Sequence, residues 1–150
     1  MKKIVMLFCL GALLSLDLSA QTEFKVVTVV ESIVPAGLGR SRIIEATDEA
    51  DINAVTTDRT DGKKSDMKDV KRKDLKIDNF KESKLLNFFS LGGINFQNIA
   101  SNDALISEKL NELTSEGWEL AFVTSGVESN AGEVDGEGIF ITRFVFKRSR

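Results

Sequence analysis

From Phe24 to Val34 the chain reads FKVVTVVESIV. On an extended backbone successive side chains alternate between faces, so Phe24, Val26 and Val30 share one side and Val27, Val29 and Ile33 the other. The β-branched content suits a strand. Apolar residues on both sides predict a central strand, or one covered on both faces. Pro35, the single proline, ends the run because it has no N–H to donate to a ladder. Ile43-Ile44 and Ala54 to Thr57 are two short apolar pieces, readable as a hairpin or as strand extensions. Leu85 to Ile99 turns apolar again, with Phe88, Phe89, Ile94, Phe96 and Ile99 as expected core contributors and Gly92-Gly93 interrupting. A strand and an irregular packed segment both fit it.

The periodicity changes at Asn102. Ile106, Leu110 and Leu113 recur at helical spacing with Leu105 beside them, while Ser107, Glu108, Asn111 and Glu112 fall on the opposite side. This predicts a helix over Asn102 to Glu116, capped by Ser101 or Asn102, with Asp103 in its first turn. Lys109 can pair with Glu112 one turn on. The helix ends at Gly117-Trp118. With Gly117 in left-handed conformation, Trp118 falls back on Leu113 in a Schellman arrangement. Leu113, Gly117 and Trp118 are therefore expected to form a structural C-cap. A ligand-stacking role for Trp118 would need an exposed indole, and this position predicts a covered one. Beyond it, Trp118 to Val127 and Gly138 to Arg148 predict a hairpin, with Leu120 and Phe122 continuing the apolar side of Trp118. The connection ESNAGEVDGE is too long for a tight turn.

Between these apolar regions, Glu45 to Lys84 carries 11 acidic and 10 basic residues. The acids lead and the bases follow. So polar a segment cannot bury enough surface to offset its ordering entropy, and most of Asp58 to Asp74 is expected to be a mobile, solvated loop. The basic run Lys71 to Lys73 reads as part of that solvated segment rather than as a grip on an anionic surface.

The first twenty residues stand apart. Lys2 and Lys3 precede an apolar run from Ile4 to Leu16, and LSA follows, ending at Ala20. The run is shorter than the roughly 20 residues a membrane span needs, so residues 1–20 are expected to be a secretory signal. Residues 21–150 would then be one domain with a flexible charged insertion at about 45–84. Cys9, the only cysteine, lies inside the signal, so a chain cut after Ala20 has no thiol. Cutting there also removes Lys2, Lys3 and Asp17, taking 20 bases and 23 acids to 18 and 22, net −4. A net negative chain argues against nucleic acid, which asks for a basic footprint.

Candidate chemistry is sparse. The chain has no His, and GxSxG, HExxH and P-loop motifs are absent. The acids Glu128, Glu133, Asp135 and Glu137 lack the D-x-D-x-D-G alternation of a calcium loop. No catalytic residue, cofactor site or metal site is expected. One stretch is a candidate for binding a small anion or a partner: Gly37, Gly39, Arg40, Ser41 and Arg42, where glycines expose backbone amides and two arginines alternate.

FKVVTVV, LNELTSEGWEL and ITRFVFKR together resemble a family of small bacterial domains of unknown function, which show a "YKVV" first strand, a helix ending in "GWEL" and a last strand ending in "FKR". The resemblance covers Phe24 to Val34 and Asn102 to Arg148. It implies an α+β fold: a small antiparallel sheet built on a β-α-β-β core with one helix packed on a face. Short exported proteins of Bacteroidetes-type bacteria look similar over more of the chain, including VPAGLGRSR and GINF. The family brings no assigned activity. The expectation is an exported, non-catalytic interaction module of the cell envelope, with an envelope protein or a small anion as partner. A small carboxylate-dependent hydrolase is the alternative, and an edge strand pairing with another copy into a homo-oligomer is a third reading.

Overall fold

The computed structural model describes residues 21–33, 40–90, 92–127 and 139–150. It is mixed α+β and mostly sheet. The strands are β1 (Thr22–Ser32), β2 (Arg42–Ala46), β3 (Phe80–Lys84), the short pair β4 (Phe89–Ser90) and β5 (Gly93–Ile94), β6 (Glu119–Val127) and β7 (Ile139–Ser149). One long helix among the described residues, α1, runs from Phe96 to Ser115. The main sheet has five strands in the order β3-β2-β1-β7-β6. All its pairings are antiparallel. The two-faced apolar strand β1 is its middle strand.

The helix and the segment leading into it cover the middle of one face; at the edge strand β6, Leu120, Val123 and Val127 stay exposed on that same side. The buried apolar residues are Val27, Val29, Ile43, Leu85, Leu113, Trp118 and Phe146, with Ile106, Leu110 and Phe144 packed against them. Val27 and Val29 from β1 pair with Phe144 and Thr142 of β7, and with Glu45 and Ile43 of β2, so the core sits over the middle of the sheet.

The helix begins earlier than its apolar periodicity indicates. Asn95 is the cap, its Oδ1 accepting from the backbone N–H of Asn98 at 3.1 Å. Neither Ser101 nor Asn102 caps it. The first turn carries Phe96 and Gln97, both exposed, so it projects past the core and no apolar stripe marks it. Asn102 is instead fully buried in mid-helix. Its amide accepts from Leu86 N–H at 2.9 Å and donates to Leu86 C=O at 2.7 Å, matching the backbone's own pairing pattern. Its Nδ2 also donates to Glu31. This clamp holds the incoming segment against the helix and places Leu85 in the core. Phe88, Phe89, Ile94, Phe96 and Ile99, expected there, are outside the buried set: Ile94 and Phe96 are exposed and the other three half-buried. Phe88 stacks at an angle on Phe140, centroids 5.6 Å apart.

Trp118 N–H donates to Leu113 C=O and Gly117 N–H to Thr114 C=O, both at 3.0 Å. Gly117 has φ 85°. These are the two bonds of a Schellman motif, and they set Leu113 and Trp118 together in the core.

The charged segment divides into two parts. Its end, Phe80–Lys84, is strand β3, paired with β2 over Ala46 to Arg42. Charge hides this strand in the sequence, but Lys, Glu and Ser suit an exposed sheet edge. Before it, residues 47–79 contain no buried residue and three short 3-10 turns, at Asn53–Val55, Asp66–Asp69 and Arg72–Leu75. The apolar piece Ala54 to Thr57 overlaps the first of these turns rather than a strand. A polar latch closes the base of the loop. Asp48 Oδ2 accepts from the backbone N–H groups of Asp78 and Asn79, and Asn79 Nδ2 donates to Asp48 Oδ1 at 3.0 Å.

Candidate functional site

The covered face ends in a cleft of about 730 Å³ lined by Glu23, Lys25, Glu45, Lys81, Trp118 and Arg148 among others. Its charges largely satisfy one another. Glu45 is only 4% exposed and receives Lys25 Nζ at 2.8 Å and Lys109 Nζ at 2.7 Å. Lys109 also reaches Glu112 at 3.0 Å. Burial pushes the Glu45 carboxyl up, but hydrogen bonds and charge from Lys109 and Lys25 outweigh it and hold it below the usual range. Burial likewise depresses Lys109, and its carboxylate partners more than reverse this, leaving it raised. At the other wall, the Arg148 hydrogen bond at 2.8 Å keeps Glu23 low. Lys25 and Arg148 also lie over the Trp118 ring, 5.0 and 4.2 Å from its centroid. The indole is 4% exposed and already faced by two cations, so it offers no stacking platform.

Paired inward acids with raised pKa would mark a carboxylate hydrolase. The carboxyls of Glu23, Glu45 and Asp48 are all held low rather than raised. They are held ionised, the wrong state for a general acid. Among the described residues no group of three or more Asp, Glu, His or Cys is placed to hold a metal.

Of the glycine-bearing basic loop, Gly37 and Gly39 lie outside the described residues. Arg40 is exposed. Ser41 is fully buried. Its hydroxyl accepts from Ser32 N–H at 3.0 Å and donates to Asn87 at 2.7 Å, so it ties β1 to the segment before the helix. Arg42 extends along the sheet and pairs with Glu82 on β3. The structure thus puts Ser41 to structural use and gives Arg42 an internal carboxylate. The acids Glu128, Glu133, Asp135 and Glu137 also fall outside the described residues.

The opposite face of the sheet presents a different surface. Antiparallel sheets with one solvated face are usually polar there. Here Val26 pairs with Val145, Val145 with Phe122, and Ala46 with Phe80. With Ala46 next to Val26 across β1 and β2, an apolar row crosses all five strands. Phe24 adds to one side, and Ile44, Val30 and Ile141 to the other. The exposures are large for such residues: Phe24 64%, Phe122 57%, and Val26 and Phe80 45% each. Thr28, Arg143 and Glu82 stand with Ile44 in the row beside it, and Arg42 in the following row with Val30 and Ile141.

Phe122 reaches this face through a bulge. The pairing slips between Leu120 and Phe122, with Leu120 opposite the buried Phe146 and Phe122 opposite Val145. The extra residue, Ala121, flips the alternation, so Leu120 and Phe122 point to opposite faces and do not share the Trp118 side. The sequence marked this surface only in part, through the doubly apolar β1. It concealed β3 and the bulge.

No described helix is long and apolar enough to cross a membrane. Comparison with protein-family models, curated proteins and solved structures gives no match.

Proposed function

We propose that the protein is an exported, non-catalytic interaction module that engages a protein partner of the cell envelope through the open face of its sheet. The observation that carries this reading is the apolar row from Phe80 to Phe122, left exposed on a sheet whose other face has a helix of its own. Contiguous apolar surface of this kind marks interaction sites. The charged leader supports export. With β2 to β5 set aside as insertions, β1, α1, β6 and β7 would be the β-α-β-β core implied by the resemblance of FKVVTVV, GWEL and FKR to small bacterial domains, a family with no assigned activity. The lowered carboxylates of the cleft favour binding over hydrolysis.

The test is site-directed photo-crosslinking in an exporting cell. A photoreactive residue at Phe122 should give a discrete adduct, and one at the exposed Glu108 on the helix should not. Equal labelling at both sites, or none at either, overturns the reading.

A further inference from the structure

We infer that the open face is covered by a second copy of the same chain, giving a two-fold, face-to-face sandwich; this rests on the interaction-module reading above. The argument begins with strand order. β1 is the middle of five strands, so a two-fold axis lying along β1 between the sheets sets β1 over β1, β2 over β7 and β3 over β6. A symmetric homodimer needs a self-complementary patch, and this operation supplies one. It keeps each row over itself. In the apolar row Phe80 then meets Phe122 of the second copy, Ala46 meets Val145, and Val26 meets Val26. Every contact in the row is apolar, and the large ends meet each other.

Charge fits the same operation. In the next row Thr28 falls over Thr28, and Arg143 over Ile44 with Glu82 of the second copy one strand further out. Among the described residues Arg143 has no ion pair, and Glu82 is about two-fifths exposed beside Arg42. The axis brings Arg143 toward this acid and sets neither group directly over a like charge, with Arg42 of the second copy over Ile141 in the following row. An axis across the strands would instead turn the Arg143 position onto Lys147, which disfavours it.

The area is adequate. Five strands at ~4.8 Å by about seven residues at ~3.4 Å cover roughly 600 Å² per copy, or about 1,200 Å² together. A specific interface needs about 1,000 Å². A two-fold inclined slightly to β1 also yields the crossing of about 30° usual for aligned sheets.

The experiment uses residues 21–150, which contain no cysteine, and three single variants: Val26→Cys, Phe80→Cys and Phe122→Cys. Sedimentation of the parent protein should show a dimer at micromolar concentration. A short bifunctional thiol reagent should link Val26→Cys to itself, and should link Phe80→Cys to Phe122→Cys in a mixture but neither of those two to itself. The charge contact gives a second arm that leaves the apolar row intact. Arg143→Glu should weaken association at least tenfold, and the double variant Glu82→Arg/Arg143→Glu should recover it. A monomer at 200 μM, roughly a hundredfold above that range, overturns the inference, as does a dimer in which Val26→Cys does not cross-link. Maleimide labelling of Val26→Cys in intact exporting cells separates this failure from failure of the parent reading. A monomeric protein whose introduced thiol is shielded in the cell loses only the second copy, and free labelling there defeats both.

Discussion

The two faces of this sheet carry similar side chains under opposite circumstances. On one, Val27, Val29 and Phe146 disappear beneath the helix; on the other, Phe24, Val26 and Phe122 stay open. Strand β1 contributes alternately to both. Apolar character therefore does not by itself define a core. A side chain stabilises the fold only where a second layer removes it from water, and here the helix α1 supplies one layer. The faces also handle charge differently. The covered face buries Glu45 between two lysines, whereas the open face leaves the pair Arg42 and Glu82 partly exposed.

The sharpest break between the faces is expected in paired substitutions measured by urea unfolding of dilute protein. Phe146→Ala should cost about 4 kcal/mol, as loss of a buried ring does. Phe122→Ala on the open face should cost less than about 1 kcal/mol. Equal losses would mean that the open face is covered within a single chain.

Charge gives the next largest contrast. Glu45→Gln removes the buried carboxylate that Lys25 and Lys109 share, while Lys109 keeps Glu112, and should cost about 2 kcal/mol. Glu82→Gln removes an exposed partner and should cost no more than about 0.5 kcal/mol. Glu45 also gives the covered face a pH dependence. Glu45 titrates below its usual range in the folded protein, so its stabilising charge is complete above about pH 4.3 and is lost as pH falls through the depressed value. Lys109 has the opposite sign: its pKa is raised, and its contribution disappears only as strongly alkaline pH passes through it. Acid unfolding followed by circular dichroism should be shallower in Glu45→Gln than in the parent protein.

Two glycines offer a smaller contrast. Gly117 has φ 85° and open space around it, so Gly117→Ala should cost about 1 kcal/mol from backbone strain alone. At Gly126, at the far end of β6, an added Cβ would meet nothing within 4 Å, and φ is not left-handed. Gly126→Ala should be neutral or slightly stabilising in the same unfolding assay. The smallest expected effect lies off both faces. Asp48→Ala should speed hydrogen exchange at the Asp78 and Asn79 amides, which lose their acceptor, while leaving the thermal midpoint in place.

Much of the fold can be read from local rules. FKVVTVV announces its strand through β-branched residues, the stripe of Ile106, Leu110 and Leu113 announces the helix, and Gly117-Trp118 announces its end, because each of these signals acts within one turn or a few residues. The start of the helix was less legible. Asn95 caps it well before the apolar stripe begins, and Asn102, which reads as a cap, makes its contacts with Leu86, sixteen positions away. Strand β3 was hidden by its charges, which its edge position tolerates.

Residue type and short-range spacing are enough to set the two-sided apolar character of β1, the helix with its glycine stop, and the poverty of catalytic groups. Long-range packing chose the rest: which side of β1 is covered, that Ala121 bulges and turns Phe122 outward, and that Glu45 lies between Lys25 and Lys109. Those outcomes depend on pairings as distant in the chain as Lys25 with Glu45 and Val26 with Val145. No local pattern encodes which remote partner wins the competition for burial.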